Sequence, residues 1–394
     1  MPHFLSHRLK GLVQSDIRRM TRECQRVGGI NLGQGICDLP TPPLVRDSAI
    51  KAIKEEKSTY SFPEGIAELR TAIADKLKQS NNITVDSIND IVVTIGTSGA
   101  FAATVTALLN PGDGVLLFEP YYGYHLNTLI FAGMKPHFLE LVPPHFSIDE
   151  EVLREAIKPE TRAVVVCTPS NPSGKMFTRK ELEIIAKIAN ERDLLVITDE
   201  IYEYFRYDGK EHISPAAIRD LKERTVTIMG LSKTFSITGW RTGYAVAPPE
   251  MARGITLVND LHSVCAPTPL QYGVAAGFNA PPEFYETLRK DYQRKRDAIC
   301  EALDAVGMSP IIPEGSYYVL ADVSKLGFQK SLDAAMEFLE HTKVASVPGT
   351  SFYRSETGEK LLRFCFAKDD NMLSEACARI RTFAHRKVKS ETKR

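Results

Sequence analysis

The sequence carries no net charge. Its 49 Lys and Arg residues balance 49 Asp and Glu over 394 residues, and the pI is near 7.1. No basic field argues for nucleic acid or an anionic membrane as partner. Cysteine is scarce: seven residues, an odd count, with no C-x-x-C spacing. That pattern speaks against a disulfide frame or a zinc site and for reduced thiols in the cytoplasm. No apolar run reaches the roughly 20 residues of a membrane helix. The first ten residues hold no long apolar stretch of the kind that directs secretion. Neither G-x-G-x-x-G nor G-x-x-x-x-G-K-[ST] occurs, which counts against a nicotinamide oxidoreductase or a nucleoside triphosphatase. Repeats and low-complexity segments are also lacking, and the basic run at 387–394 reads as a solvated tail.

What is present is ordinary for a soluble enzyme, with 25% charged and 43% hydrophobic residues. The length suffices for two domains. Seven short apolar runs, at 91–95, 114–118, 135–139, 163–167, 194–198, 225–229 and 243–247, alternate with amphipathic stretches such as 98–109 and 178–190. Thr178 and Glu181 have capping-box spacing at the start of the second. Near-continuous apolar strands between helices predict an α/β fold: a mostly parallel seven-stranded sheet covered by helices on both faces. The sheet accounts for a large domain over residues 45–279, closed by the Gly-Pro-rich stretch 277–282. A long charged helix at 283–306, strands at 316–321 and 361–367 and a helix at 331–341 predict a smaller α+β domain over 280–394. Residues 1–44 show turn chemistry and little periodicity, and read as an N-terminal arm that completes part of the small domain.

Residues able to do chemistry fall just after these strands, where open parallel sheets bind their ligands. Gly96-Thr97-Ser98 follows the first and opens a helix, presenting N–H groups and hydroxyls to an anion. Asn171 follows the fourth, in a segment that turn chemistry alone would also explain. Asp199 ends the fifth, with Tyr202 three residues on; an N-cap or an ion pair would account for it equally well. Ser232 and Lys233 follow the sixth, and Arg241 comes eight residues later, behind the only Trp. A lysine desolvated beside another cation loses its proton more readily and becomes a nucleophile able to form a Schiff base. The hydroxyls of Ser232, Thr234 and Ser236, with Arg241, suit a phosphate better than a metal, and no metal site is expected. An amine nucleophile beside a phosphate clamp suggests pyridoxal 5'-phosphate (PLP). In the apolar strand 361–367 sits Arg363, whose guanidinium needs an internal salt bridge or a ligand carboxylate.

The stretch Ser232-Lys233 to Gly239-Trp240-Arg241 resembles the lysine motif of class I/II aminotransferases, S-K-x-x-x-x-x-G-W-R. The order Gly35, Tyr60, Gly96-Thr97-Ser98, Asn171-Pro172-Ser173-Gly174, Asp199-Glu200-Ile201-Tyr202, Ser232-Lys233, Arg241 and Arg363 is similar to that of fold-type I PLP-dependent enzymes over residues 28–385. The resemblance is strongest to the group holding aspartate, aromatic, kynurenine and methionine aminotransferases. It implies a homodimeric enzyme that moves an amino group from an amino acid to a 2-oxo acid by a ping-pong mechanism; a C–S β-lyase on the same fold is the alternative. In the roles it implies, Lys233 holds PLP and moves the proton, Asp199 pairs with the pyridine nitrogen, and Asn171 and Tyr202 bond the ring hydroxyl. Tyr122 stacks on the ring. Gly96, Thr97, Ser98, Ser232 and Arg241 bind the phosphate, with Tyr60 reaching across from the neighbouring subunit. Arg363, Gly35 and Asn171 take the substrate. The family's G-x-P-D-F reads Gly35-Ile36-Cys37-Asp38-Leu39 here, so Cys37 and Leu39 depart from the pattern in a loop that borders the substrate side chain in relatives.

Overall fold

The computed structural model describes residues 4–12, 16–85 and 87–383; the 387–394 run lies outside them. All seven strands form, in one sheet ordered Ile91–Ile95, Thr242–Val246, Thr225–Met229, Leu195–Asp199, Thr161–Cys167, Gly114–Glu119 and Lys135–Glu140. Only Thr242–Val246 runs against its neighbours; the remaining pairings are parallel. The interior strands are buried on both faces because helices cover both, as their unbroken apolar runs require. Ile197, Val226 and Ile228 are fully buried, each contributing on the order of 2 kcal/mol relative to an exposed side chain. Lys135–Glu140, at the sheet edge, is the most exposed of the seven.

Helices follow the strands as the periodicity predicts. Gly96–Leu108 succeeds the first strand. Arg179–Glu191 opens on the expected box: Thr178 caps the Glu181 N–H while the Glu181 carboxylate accepts from the Thr178 N–H at 2.8 Å. Two donors that the helix start would leave open are thereby satisfied.

A second, antiparallel sheet runs Val347–Pro348, Leu361–Cys365, Tyr318–Asp322 and Ser309–Ile311. The helices Pro282–Asp304, Ser331–Thr342 and Asp370–Arg381 accompany it. The N-terminal segment differs from its expected lack of periodicity. Asp16–Arg26 is a helix that buries Met20 and Cys24, a short apolar stripe overshadowed by the four arginines around it. After it, Ile30–Asn31 pairs in parallel with Val344–Ala345, and the Cys365 N–H donates to the Leu32 carbonyl at 2.6 Å. These bonds lay residues 33–35 beside Arg363.

Among the described residues no helix is long and apolar enough to cross a membrane. All seven cysteines are free.

Candidate active site

The carboxyl ends of the parallel strands open onto one cavity of about 440 Å³. Its walls come from segments far apart in sequence: Thr97 and Ser98, Tyr122, Asn171, Asp199 and Tyr202, Ser232 and Lys233, and Arg241. Arg241 reaches the same edge because Thr242–Val246 is antiparallel and begins where its neighbours end. Gly35 and Arg363 close the cavity from the N-terminal segment and the smaller sheet. A larger groove of about 820 Å³ runs along Pro282–Asp304, but charged residues such as Arg289, Lys290 and Glu286 line it and no expected site residue does.

At one end, the Arg241 guanidinium donates to Ser98 Oγ at 3.0 Å and to the Thr238 carbonyl at 2.9 Å. Its own backbone sits in the left-handed region at φ 54, a conformation that costs a non-glycine residue about 1–2 kcal/mol and persists only where the surroundings impose it. Gly96 makes room for that side chain. Its φ is +67, and a Cβ there would fall 2.4 Å from Arg241 Nη2. Thr97 and Ser98 occupy the first turn of the Gly96–Leu108 helix, where unpaired N–H groups favour an anion. The Ser232 hydroxyl donates to the Thr242 carbonyl at 3.1 Å. A cation, a helix start and hydroxyls together form an anion cradle.

Lys233 projects into the middle, its Nζ donating to the Gly35 carbonyl at 3.3 Å. Among the described residues no carboxylate forms a salt bridge with it. Burial pushes the amine below its ordinary value, outweighing opposing effects from Cys365, Cys37 and Asp199, and Arg241 adds the smallest push in the same direction as burial. Asp199 is buried, with one carboxylate oxygen 3.0 Å from His125 Nε2 and the other accepting the Ile201 N–H at 3.3 Å. The Tyr202 hydroxyl lies 3.2 Å from that of Tyr318, and desolvation holds it in the protonated form. Tyr122 stands edge-on to His125, their ring centroids 5.1 Å apart.

Arg363 is 1% exposed. The Tyr318 and Phe352 rings flank it at 4.3 and 4.6 Å. Nη1 donates to Asn171 Oδ1 at 2.8 Å and Nη2 to the Gly33 carbonyl at 2.6 Å, while Nε has no partner. Both acceptors are neutral. Among the described residues no carboxylate pairs with this guanidinium, so the internal salt bridge offered as its alternative role is not there. Gly35 is needed for close approach, since a Cβ would fall 1.8 Å from the Tyr318 hydroxyl oxygen.

Of the residues expected at the site, Tyr60, Thr234 and Ser236 stand outside the cavity. Tyr60 is 81% exposed, the Thr234 hydroxyl is buried without a partner, and Ser236 Oγ turns to Cys37 Sγ. Gly96 borders the site through its close approach to Arg241. The departures Cys37 and Leu39 do not line the cavity either. Cys37 Sγ turns to Ser236 Oγ and Tyr292 Oη, at 2.9 and 3.0 Å, and Leu39 packs on the hydrophobic core. Ile36, beside Gly35, is the side chain of that loop that lines the cavity. Sequence reasoning missed His125, Tyr318, Phe101 and Ile17, all cavity residues. The one available signal for His125 was its place three residues after Tyr122, one helical turn along the same face.

The chain's similarities match this geometry. Residues 27–380 match the family profile described as aminotransferase class I and II. The chain is 34% identical to an aspartate aminotransferase of Bacillus subtilis, across 97% of this chain and 99% of that one. It is 33% identical to aromatic-amino-acid aminotransferase 2 of Thermococcus litoralis, across 95% and 97%. Among solved structures, N-succinyldiaminopimelate aminotransferase from Mycobacterium tuberculosis superposes with a TM-score of 0.93 at 32% identity, covering 96% of this chain and 99% of that chain.

The Lys233 environment carries a stability consequence. Below the depressed folded-state pKa the amine is protonated both folded and unfolded, and the full burial penalty opposes folding. The penalty fades as pH rises from there toward the ordinary value of 10.5. Lys233→Met should therefore raise the Tm of the cofactor-free protein at pH 7, by roughly 1–3 °C, and raise it less near pH 10.5. Calorimetry at both pH values checks this; a gain that grows with pH would contradict it.

Proposed function

The chain belongs to the class I and II aminotransferases, related to their aspartate, aromatic and kynurenine enzymes, and we propose that the cavity at the strand ends is its PLP-dependent active site. As an aminotransferase it moves an amino group from an amino acid to a 2-oxo acid in two half-reactions of a ping-pong cycle. The observation that carries the site assignment is Lys233: a desolvated amine without a carboxylate partner, between the anion cradle and Asp199.

The residues present fit PLP. The cradle of Ser98, Thr97, Ser232 and Arg241 leaves cationic and hydroxyl groups facing the cavity for a phosphate, and Gly96 gives the space a Cβ would fill. Asp199 offers a buried carboxylate for the pyridine nitrogen. Tyr122 supplies a ring face, and Asn171 and Tyr202 supply polar groups for the ring hydroxyl. When bound, PLP supplies an aldehyde that accepts amino groups and a protonated ring that draws electrons away from the substrate Cα.

The protein's own groups do the remainder. His125 and the Ile201 N–H fix the Asp199 carboxylate, so its charge stays aimed into the cavity. Lys233 Nζ, once free, would be the base that takes the proton from the substrate Cα and returns it elsewhere on the bound molecule. Its lowered proton affinity keeps more of it neutral near pH 7 than a surface lysine would be. Arg363 binds the α-carboxylate: its guanidinium is already desolvated, packed against two rings and anchored by Asn171 and Gly33, so little ordering is left to do on binding. In this reading residues 45–279 hold the cofactor, while 1–44 and 280–394 bring Gly35 and Arg363 to the substrate. Seven free cysteines support a reducing, cytoplasmic setting.

We further propose a homodimer in which Tyr60 of each copy completes the other's phosphate site. Tyr60 and Phe62 are 81% and 73% exposed, and Leu257 and Leu261 are 67% and 83% exposed. The loop and the helix bearing these residues are joined by a 2.8 Å bond from Asn259 Nδ2 to the Pro63 carbonyl. Large apolar side chains this exposed suit a protein interface.

Arg363→Lys replaces a fork by a point charge. It should lower kcat/KM in both half-reactions by roughly a hundredfold and leave the cofactor's visible spectrum unchanged. Stopped-flow half-reactions with the same amino acid and oxo acid measure this. An unaltered kcat/KM with a lowered Tm would make Arg363 structural instead.

Mixing Tyr60→Phe with Lys233→Ala after dissociation and reassociation should recover activity up to about a quarter of wild type, because half the dimers are hybrid and each hybrid has one intact site. A fully active monomer on ultracentrifugation would overturn the shared site.

A further inference from the structure

Three cationic side chains line the cavity, Lys233, Arg241 and Arg363, and the proposed function already employs each. Arg241 is tied to Ser98 and Thr238 at the phosphate end. Arg363 is anchored by Asn171 and Gly33 and clamped between two rings, so it cannot swing to a second anion while it holds the α-carboxylate. The titratable ring of His125 is turned onto Asp199. Lys368, whose Nζ lies 3.5 Å from the Ile36 carbonyl behind the same loop, is paired with Asp38.

The rest of the wall is uncharged: Ile17, Ile36, Tyr124, Tyr318 and Thr128 are among the residues that form it. Ile36 and Tyr124 are 37% and 46% exposed, leaving apolar surface at a cavity whose deeper end is polar. Tyr124 is held by stacking on Tyr122, with centroids 5.4 Å apart. Tyr60 from a second copy would add a phenol, not a cation.

We propose that this site selects amino acids and 2-oxo acids with an uncharged, apolar side chain, whether aliphatic, thioether or aromatic, and discriminates against those with a second carboxylate. The inference rests on the active-site assignment above and adds the substrate class to it. An apolar side chain gains by covering Ile36 and Tyr124. A distal carboxylate would instead leave water for methyl groups and ring edges. Thr128 and the tyrosine hydroxyls could offer it hydrogen bonds, but no described residue lining the cavity offers an uncommitted counter-charge, and a buried charge without one is strongly disfavoured. Similarity to an aspartate aminotransferase thus extends to the fold and the family, and not to the choice of substrate.

The test uses the full-length protein loaded with PLP. Single-turnover half-reactions with L-phenylalanine, L-methionine, L-leucine, L-aspartate and L-glutamate give kcat/KM for each donor. Calorimetric titration with the unreactive carboxylates hydrocinnamate, isocaproate and maleate gives binding without turnover. The best apolar donor should exceed aspartate and glutamate by about a hundredfold, and the tighter of the two apolar analogues should bind at least about tenfold better than maleate. Aspartate or glutamate within tenfold of the best apolar donor, or maleate binding as tightly as the apolar analogues, would overturn the proposal and point to a cation from a second copy. Failure of every donor to yield an oxo acid is a different result: it would remove the active-site assignment itself, and this inference with it.

Discussion

A parallel sheet delivers the ends of all its strands to one edge, and everything at the candidate site depends on that delivery. Ser98, Tyr122, Asn171, Asp199 and Lys233 are scattered over more than a third of the chain, yet each ends or follows a strand that leads to the same cavity. The single antiparallel strand, Thr242–Val246, is no exception in effect. Running backwards, it begins at that edge and sets Arg241 opposite Ser98. The smaller sheet approaches from the other side, with Arg363 central in Leu361–Cys365 and paired in register with Leu320 and Val347. Strands hold Asp199 and Arg363 directly, and Lys233 and Arg241 stand just outside strand ends, so the scaffold places these groups before any ligand arrives.

The electrostatics of the cavity are unbalanced within the chain itself. Two guanidiniums and an amine face one carboxylate, and Arg363 is bonded only to neutral acceptors. Buried charge without a partner is costly, and proteins retain it where a ligand brings the counter-charge. In the proposed site a substrate carboxylate would supply it at buried Arg363, and a phosphate would meet the more exposed Arg241. No further cation lines the cavity among the described residues, and the proposed substrate class rests on that.

Much of this was legible in the sequence because it rests on local pattern. Apolar runs of five residues marked all seven strands within a residue or two of their ends, since strands buried on both faces tolerate little else. Lys233, Asp199 and Gly96 announced themselves by standing at strand ends. What escaped depended on tertiary proximity. His125 bonds Asp199 from 74 positions away, and nothing near it in sequence hints at a carboxylate. Tyr318 and Phe352 become the two faces of the Arg363 clamp only when separate segments meet. The Asp16–Arg26 helix was hidden because its buried stripe is two residues wide amid charge. Cys37 was expected beside the substrate by position in a loop, yet a loop residue's side chain can point either way, and here it turns into the core.

The central claim is that Lys233 is the amine that holds the cofactor. Borohydride reduction of the PLP-treated protein, followed by peptide mapping, tests it most directly. A single pyridoxyl group on the peptide containing Lys233 is the predicted result. Label on another lysine, or a protein that stays colourless after PLP is added, would contradict it.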